Sequence, residues 1–306
     1  MEQETNTILF ISLSCVGDAV MTTPVLESLH LKYPGAVIDI VSDSRSDILY
    51  KHCPYRGRIF LKHKKKFLRG SIELLQEVRG MAYDLIVDLR TDGLAYLFRG
   101  RKRLTKWQRK SYGDHAVQQL MGVIHSLHGD AVIPSARIWL SGEEHTFAEQ
   151  VLASLPGKRW LAMAPGNDNA NKVWPAQNYA ALANRLADLI SGVILDGSPR
   201  EKSATATVAR ELKLPFVDLA GQTNLLQAAA VLSRASLFVG ADSGLGHIAA
   251  AMSTPTLTFF SVDRPERVLP WGKKALWAQS PDQHAGNIPL EETVLKTRAF
   301  LKNLPL

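Results

Sequence analysis

The stretch from Leu237 to Ser261 constrains the fold of this chain more than any other. An apolar strand, Leu237–Gly240, runs into a tight polar loop, Asp242-Ser243-Gly244-Leu245-Gly246-His247. The loop opens a small-residue helix, Ile248–Met252, and Pro255 leads into a second apolar strand, Thr256–Phe260. A helix N-terminus that follows a glycine loop suits phosphate, because its first N–H groups are unpaired and the helix dipole places partial positive charge there. Gly244 and Gly246 would let a diphosphate approach the backbone. The plainer reading is a βαβ turn in which Asp242 or Ser243 merely caps the helix.

A second segment has the same character. Ile8–Ser12 reads as a first parallel strand, followed by Leu13-Ser14-Cys15-Val16-Gly17-Asp18 and a helix over Ala19–Tyr33 that ends at Pro34-Gly35. Gly17 and Asp18 then sit at the carboxyl end of a strand, where open α/β sheets place their chemistry. Asp18 taken alone is a helix cap; taken with Asp242–His247 it suggests one of two facing sites.

Strand signals recur at Ala36–Val41, Ile59–Leu61 and Leu85–Leu89, with helices at Gly70–Arg79, His115–Leu127 and Glu144–Leu155. A hinge is expected at Pro156-Gly157-Lys158. The alternation then restarts with strands Trp160–Ala164, Gly192–Asp196 and Phe216–Asp218 and helices Ala176–Ile190, Glu201–Leu212 and Leu225–Arg234. Short apolar strands alternating with helices predict an α/β fold with a parallel sheet in each half. A last helix covers Leu290–Leu301.

The 306 residues, 46% of them hydrophobic, suffice for one large core or two ordinary ones. Cys15 and Cys53 have no metal or disulfide spacing, which fits a reducing compartment, and no His motif beside Cys15 marks it as a nucleophile. The first residues, Met-Glu-Gln-Glu-Thr, are acidic and polar, so no signal peptide is expected, and no apolar run reaches the ~18 residues of a membrane span. The net charge of +7 concentrates in Lys62–Arg69 and Arg99–Lys110. Three readings stand for these runs: a solvated face, a nucleic-acid patch, or a surface for anionic lipid or a phosphorylated acceptor. Nucleic acid is the weakest, since no helix-turn-helix, zinc or RNP-type motif accompanies the charge. A nicotinamide dehydrogenase is rejected, because Ser12–Asp18 lacks the Gly-x-Gly-x-x-Gly fingerprint.

An ordered set of motifs carries a resemblance. It comprises Ser12–Asp18 with Thr22-Thr23-Pro24-Val25-Leu26, Tyr33-Pro34-Gly35-Ala36, Tyr83–Leu89, and Ala164-Pro165-Gly166 with Lys172-Val173-Trp174-Pro175. It continues with Asp196-Gly197-Ser198-Pro199-Arg200-Glu201, the Asp242–His247 loop, Pro255 and Pro270-Trp271-Gly272. The chain thereby resembles glycosyltransferase family nine, the ADP-heptose:lipopolysaccharide heptosyltransferases. The resemblance implies a GT-B architecture, two Rossmann-like domains with parallel sheets facing across a cleft. Residues 1–155 would bind acceptor, residues 156–288 would bind the nucleotide sugar, and the helix in residues 289–306 would pack back on the first domain.

The implied reaction is inverting, metal-independent transfer of heptose from ADP-heptose to a hydroxyl of the lipopolysaccharide inner core. The chain contains no Asp-x-Asp, so cations and N–H donors would neutralise the leaving diphosphate. By the resemblance Asp18 is the general base, and Lys172 with Asp242, Ser243, Gly244, Leu245, Gly246 and His247 holds diphosphate and sugar. Glu201 would hold the ribose hydroxyls, beside Gly197, Pro165 and Gly166. Gly17, Arg90, Arg101 and Arg103 are candidates for the acceptor. From the residues alone, Lys172 reads as an exposed loop lysine and His247 as a structural lock, and Glu201 is equally a first-turn residue favoured by the helix dipole.

The implied partners are ADP-heptose or a related nucleotide sugar and an anionic lipid A–core oligosaccharide. No cofactor, metal or nucleic acid is expected, and the protein is expected to be a cytoplasmic monomer, in peripheral contact with the inner leaflet. Several positions depart from the family pattern: Arg90-Thr91-Asp92-Gly93 stands in place of a Gln-Gly type sequence, Asn167–Asn171 is rich in Asn, Ser243 replaces Thr, and Gly246 replaces Ser. These departures bear on which sugar and acceptor are used. Another nucleotide-sugar transferase, a nucleotide-sugar epimerase and a non-catalytic binding protein remain as alternatives.

Overall fold

A computed structural model describes residues 5–63, 69–90, 93–110, 112–272 and 274–304; Lys64–Leu68 of the first basic run, and Thr91 and Asp92, lie outside the described residues. The chain divides into two compact units, Met1–Trp139 and Leu140–Leu306. Each is built on one parallel sheet, as the alternation of strand and helix signals predicts.

The first unit contains β1 (Thr7–Ile11), β2 (Val37–Ser42), β3 (Arg56–Leu61), β4 (Ala82–Asp88) and β5 (Arg99–Thr105), in the order β3-β2-β1-β4-β5. Ile8, Leu9, Phe10 and Ile11 of the central strand are all buried, as an apolar run without alternation requires of a strand covered on both faces. The helices are α1 (Val16–Lys32), α2 (Arg69–Val78), α3 (Ala116–Met121) and α4 (His125–His128). Pro24 lies inside α1 and has no N–H to give the carbonyl of Val20. The hydroxyl of Thr23 donates to that carbonyl at 2.8 Å instead. The Thr-Thr-Pro motif is thus a proline tolerated within a helix because its neighbour satisfies the orphaned acceptor.

The second basic run is largely strand β5, at the edge of the sheet, where sequence patterning gives no strand signal. Its first five residues are Arg-Gly-Arg-Lys-Arg, and Arg99, Arg101 and Lys102 are exposed. Charged side chains on an exposed edge discourage pairing with other chains.

The second unit starts with α5 (Gly142–Leu152). There follow β6 (Trp160–Ala164), α6 (Ala176–Arg185), β7 (Gly192–Leu195), α7 (Lys202–Glu211), β8 (Phe216–Asp218) and α8 (Leu225–Leu232). The chain continues through β9 (Leu237–Ala241), α9 (Gly244–Ala251), β10 (Thr256–Phe260), α10 (Pro265–Val268), β11 (Ala275–Gln279) and α11 (Leu290–Lys302). The strand order is β11-β10-β9-β6-β7-β8.

The division of the chain into units differs from the expected domain limits. The boundary lies at residue 139 rather than 155, because α5 packs against α8 and the Arg234 guanidinium donates to Glu149 at 2.9 Å. The last helix is part of the second unit: Val294 and Leu301 of α11 enter that unit's core. Its charges meet α6 and the turn after it, Arg185 pairing with Glu291 and Arg298 with Asp188 at 2.5 Å. Among the described residues no helix is long and apolar enough to cross a membrane.

In each unit the direction of winding reverses beside the central strand, between β1 and β4 and between β6 and β9. The crevice outside the carboxyl ends of strands at such a reversal is where open α/β sheets bind ligands. Ile11 pairs with Asp88 in the first unit and Ala164 with Gly240 in the second. The residues just past these pairs are those singled out from the sequence.

Candidate functional site

In the second unit, β9 ends at Ala241 and α9 already begins at Gly244, four residues before the predicted start. The connection is therefore only Asp242 and Ser243, and the glycines form the helix's first turn. Ser243 is the N-cap, but its side chain makes no capping hydrogen bond. The capping expectation is not realised here, in contrast to α5 and α8, whose Ser141 and Asn224 both build capping boxes. The hydroxyl and first-turn amides at Ser243, Gly244 and Leu245 are thus not engaged in a side-chain cap. A Cβ on Gly246 would meet Phe238 and Pro270 at 3.5 Å each, ordinary van der Waals contact. His247 is buried, with Nε2 4.0 Å from Asp242 Oδ1, inside the loop it supports.

Lys172 reaches this loop. Its position is set from behind by Trp174, fully buried against Tyr179 and Phe259, with its indole N–H donated to Ile288 O at 3.0 Å. From in front it is set by the Asn-rich loop. Asn167 Oδ1 accepts from the Asn169 amide and Asn169 Oδ1 from the Asn171 amide, a chain of side-chain turns that shapes the approach to Lys172. Asn167 also donates to the carbonyl of Asp242 at 3.3 Å. The ammonium of Lys172 lies 2.8 Å from Asp242 and 2.5 Å from Asp263. Burial opposes its charge, yet the two carboxylates outweigh that and raise its pKa above the ordinary lysine value. Burial raises the pKa of Asp242 against the pull of Lys172, whereas the hydrogen bond from Lys172 lowers that of Asp263.

Beside it, Pro165, Gly166, Gly197 and Glu201 converge at the ends of β6 and β7. A Cβ on Gly166 would come within 2.4 Å of Glu201 Cγ, and one on Gly197 within 3.2 Å of Glu201 Cβ. Glu201 does cap: its Oε2 accepts the Ser198 amide at 2.6 Å. Asp196, at the end of β7, accepts from the Gly197 amide at 2.8 Å and the Thr223 hydroxyl at 3.1 Å through one oxygen. Its Oδ2 is buried without a hydrogen-bond partner among the described residues. Burial pushes its pKa up to about 7, with the Glu201 and Asp218 carboxylates adding to the effect.

In the first unit α1 starts at Val16, so Asp18 lies inside its first turn rather than before it. The N-cap is Cys15, with no side-chain cap. A buried hydroxyl cluster pins this turn: Ser12 and Tyr50 oxygens are 2.6 Å apart, Ser12 and Thr22 3.1 Å, and Thr22 and Tyr50 3.0 Å. Burial raises the pKa of Asp18, and the charge of Lys106 pulls the other way. Arg90 donates from Nε to the carbonyl of Ser12 at 2.7 Å, and its Nη2 is buried without a partner among the described residues. Arg90, Tyr96, Lys106 and Trp107 line one shallow depression, with the Tyr96 and Trp107 rings stacked 5.6 Å apart.

Gly17, Asp18 and Arg90 are therefore brought together, whereas Arg101 and Arg103 are not. Arg101 faces Asp84 at 3.7 Å, and Asp84 accepts from the Asn6 and Thr7 amides where β1 begins, at the opposite end of the strands from Asp18. Arg103 donates to the carbonyls of Ala95, Phe98 and Gly100 at 2.7–2.9 Å and so holds the turn before β5. Sequence reasoning missed Asp263, Asp196, Tyr50 and Lys106 as individual groups. Asp196 follows a strand end directly, a signal that finds it, whereas Asp263 lies three residues past β10 and Lys106 is hidden within a charge run. Among the described residues no group of three or more His, Cys, Asp or Glu side chains is arranged as a metal site.

Comparison with known proteins finds a family match over residues 90–294, to glycosyltransferase family 9 (heptosyltransferase). Among relatives, lipopolysaccharide core heptosyltransferase OpsX of Haemophilus influenzae is 23% identical over 86% of this chain and 81% of its own length. Lipopolysaccharide heptosyltransferase 1 of Pseudomonas aeruginosa is 28% identical, over 84% of this chain and 79% of its own. Among solved structures, the family 9 glycosyl transferase of Veillonella parvula superposes with a TM-score of 0.87 at 19% identity, covering 99% of both chains. The fold of two parallel-sheet α/β units is shared with it.

Proposed function

This chain belongs to glycosyltransferase family 9, and from that premise we propose that it moves heptose from ADP-heptose to a hydroxyl of the lipopolysaccharide inner core. The observation that carries the proposal is the second unit's switch point. There Lys172, the uncapped first turn of α9 and the Gly166–Gly197–Glu201 wall stand together at the carboxyl ends of β6, β7 and β9. That set offers an ammonium and amides for a diphosphate, and carboxylate and backbone for a nucleoside. The relatives named above are lipopolysaccharide heptosyltransferases, which supports the same sugar and acceptor class.

In the proposed reaction Asp18 takes the proton of the acceptor hydroxyl, and that oxygen attacks the anomeric carbon from the face away from the diphosphate. A carbon–oxygen bond forms as the bond to the diphosphate breaks, so the anomeric configuration inverts and the electron pair leaves on ADP. Lys172 and the amides of Ser243, Gly244 and Leu245 stabilise the departing charge without a metal ion. Asp242 orients Lys172, and His247 steadies the loop. Glu201 Oε1 accepts from the ribose hydroxyls, since Oε2 is held by Ser198. Gly17 and Arg90 face the acceptor, the guanidinium toward its anionic groups. The first unit is thus the acceptor side and the second the donor side, in a cytoplasmic enzyme working at the inner leaflet.

The test is incubation with ADP-heptose and truncated lipopolysaccharide cores. Mass spectrometry is expected to show one heptose added per core and ADP released, with the new linkage inverted by NMR. Turnover of the sugar nucleotide that is independent of the core would instead point to an epimerase or hydrolase.

A further inference from the structure

Lys172 is the cation offered to the diphosphate, yet two carboxylates already hold it, at 2.8 Å and 2.5 Å. With both ionised the trio carries a net negative charge, which repels an incoming diphosphate. One of the two must yield. Asp242 is fixed: its side chain is only 12% exposed, its amide donates to Phe259 O, and its carbonyl accepts from Asn167. Asp263 lies in the bend after β10, its side chain 46% exposed, and can swing into water with little loss. The hydrogen bond from Lys172 lowers the pKa of Asp263, and the charge of Arg267 adds a smaller pull in the same direction.

We propose that Asp263 is a positioning residue that holds Lys172 in the empty site, gives it up to the diphosphate of the donor, and reclaims it to expel the nucleoside diphosphate product. This deepens the donor-site reading above and rests on it. In a site built this way, affinity for the product is deliberately limited, and Asp263 acts through Lys172 rather than on the sugar.

The experiment is a double-mutant cycle on ADP binding, by calorimetry at low ionic strength, with Asp263→Asn, Lys172→Ala and the pair. Asp263→Asn is expected to tighten ADP by about tenfold, the effect of removing one competing charge pair. In steady state it is expected to lower the donor KM, lower kcat and strengthen inhibition by ADP. In the Lys172→Ala background the same substitution is expected to change ADP affinity by less than about twofold, because the two residues act as one unit. Weaker ADP binding in Asp263→Asn, or an equal change in both backgrounds, overturns the proposal and leaves the donor-site reading standing. A wild-type protein that binds no nucleoside diphosphate overturns both.

Discussion

Gly166 and Glu201 leave no room for a side chain between them: a Cβ on the glycine would stand 2.4 Å from Glu201 Cγ and 2.5 Å from its Cβ. The clash involves the root of the glutamate as well as its tip, so rotation of the carboxyl group does not relieve it. Gly166→Ala must push the Ser198–Glu201 turn outward. The expected outcome is ADP affinity reduced by roughly tenfold or more, equivalent to about 1.4 kcal/mol. Gly197→Ala, with contacts of 3.2 Å, is expected to cost less. Calorimetric titration of ADP into both variants checks the order, and an unchanged Gly166→Ala affinity would remove this turn from the nucleotide wall.

The sequence made the sheets legible because buried parallel strands are continuous apolar runs, and the loops legible because glycine and a carboxylate after such a run is a rare combination. It left β5 unread because an edge strand needs no apolar pattern, and Arg99–Arg103 has none. Arg101 and Arg103 share the strand with the route to Lys106, yet their partners are fixed by three-dimensional pairing that charge alone does not disclose. Asp263 was hidden for the converse reason: its importance lies in an ion pair with a residue 91 positions earlier, in another crossover.

In its proposed role as base Asp18 must be ionised, and burial raises its pKa while Lys106 restrains the rise. Activity is therefore expected to fall as pH drops through that raised value. Lys106→Met removes a charge that favours the carboxylate, so the acid limb is expected to move to higher pH. Asp18→Asn is expected to lower kcat by about 10²–10⁴, with ADP binding nearly intact. A pH–rate profile of the wild type and Lys106→Met decides the matter; a limb that stays put or moves to lower pH would deny Asp18 the role.

Trp174 couples the stability of the second unit to the placement of Lys172. Its ring is fully buried between Tyr179 and Phe259, and its N–H reaches Ile288 O. Trp174→Ala leaves a large cavity and is expected to cost about 3–5 kcal/mol in urea unfolding. Trp174→Phe keeps most of the packing but strands the Ile288 carbonyl, for about 1–3 kcal/mol. In the folded fraction of either variant, donor KM is expected to rise more than kcat falls, because the loop bearing Lys172 loses its anchor.

Asp196 gives the second unit a stability that depends on pH. Its folded pKa is pushed up to about 7 from the ordinary carboxylate range, mainly by burial. A raised carboxyl pKa means that the folded state keeps a proton the unfolded chain has already released. The stabilising contribution is complete below the unfolded value and is lost as pH rises toward about 7, at roughly 1.4 kcal/mol per pH unit within the window. Asp196→Asn keeps a neutral acceptor for the Gly197 amide and the Thr223 hydroxyl, and has no proton to lose. The variant is therefore expected to gain on the wild type between pH 4 and 7 and to hold a constant advantage above that range. Chemical denaturation at half-unit steps of pH measures the difference, and parallel stability curves for the two proteins would show that the Asp196 carboxyl is ionised in the folded state at all of them.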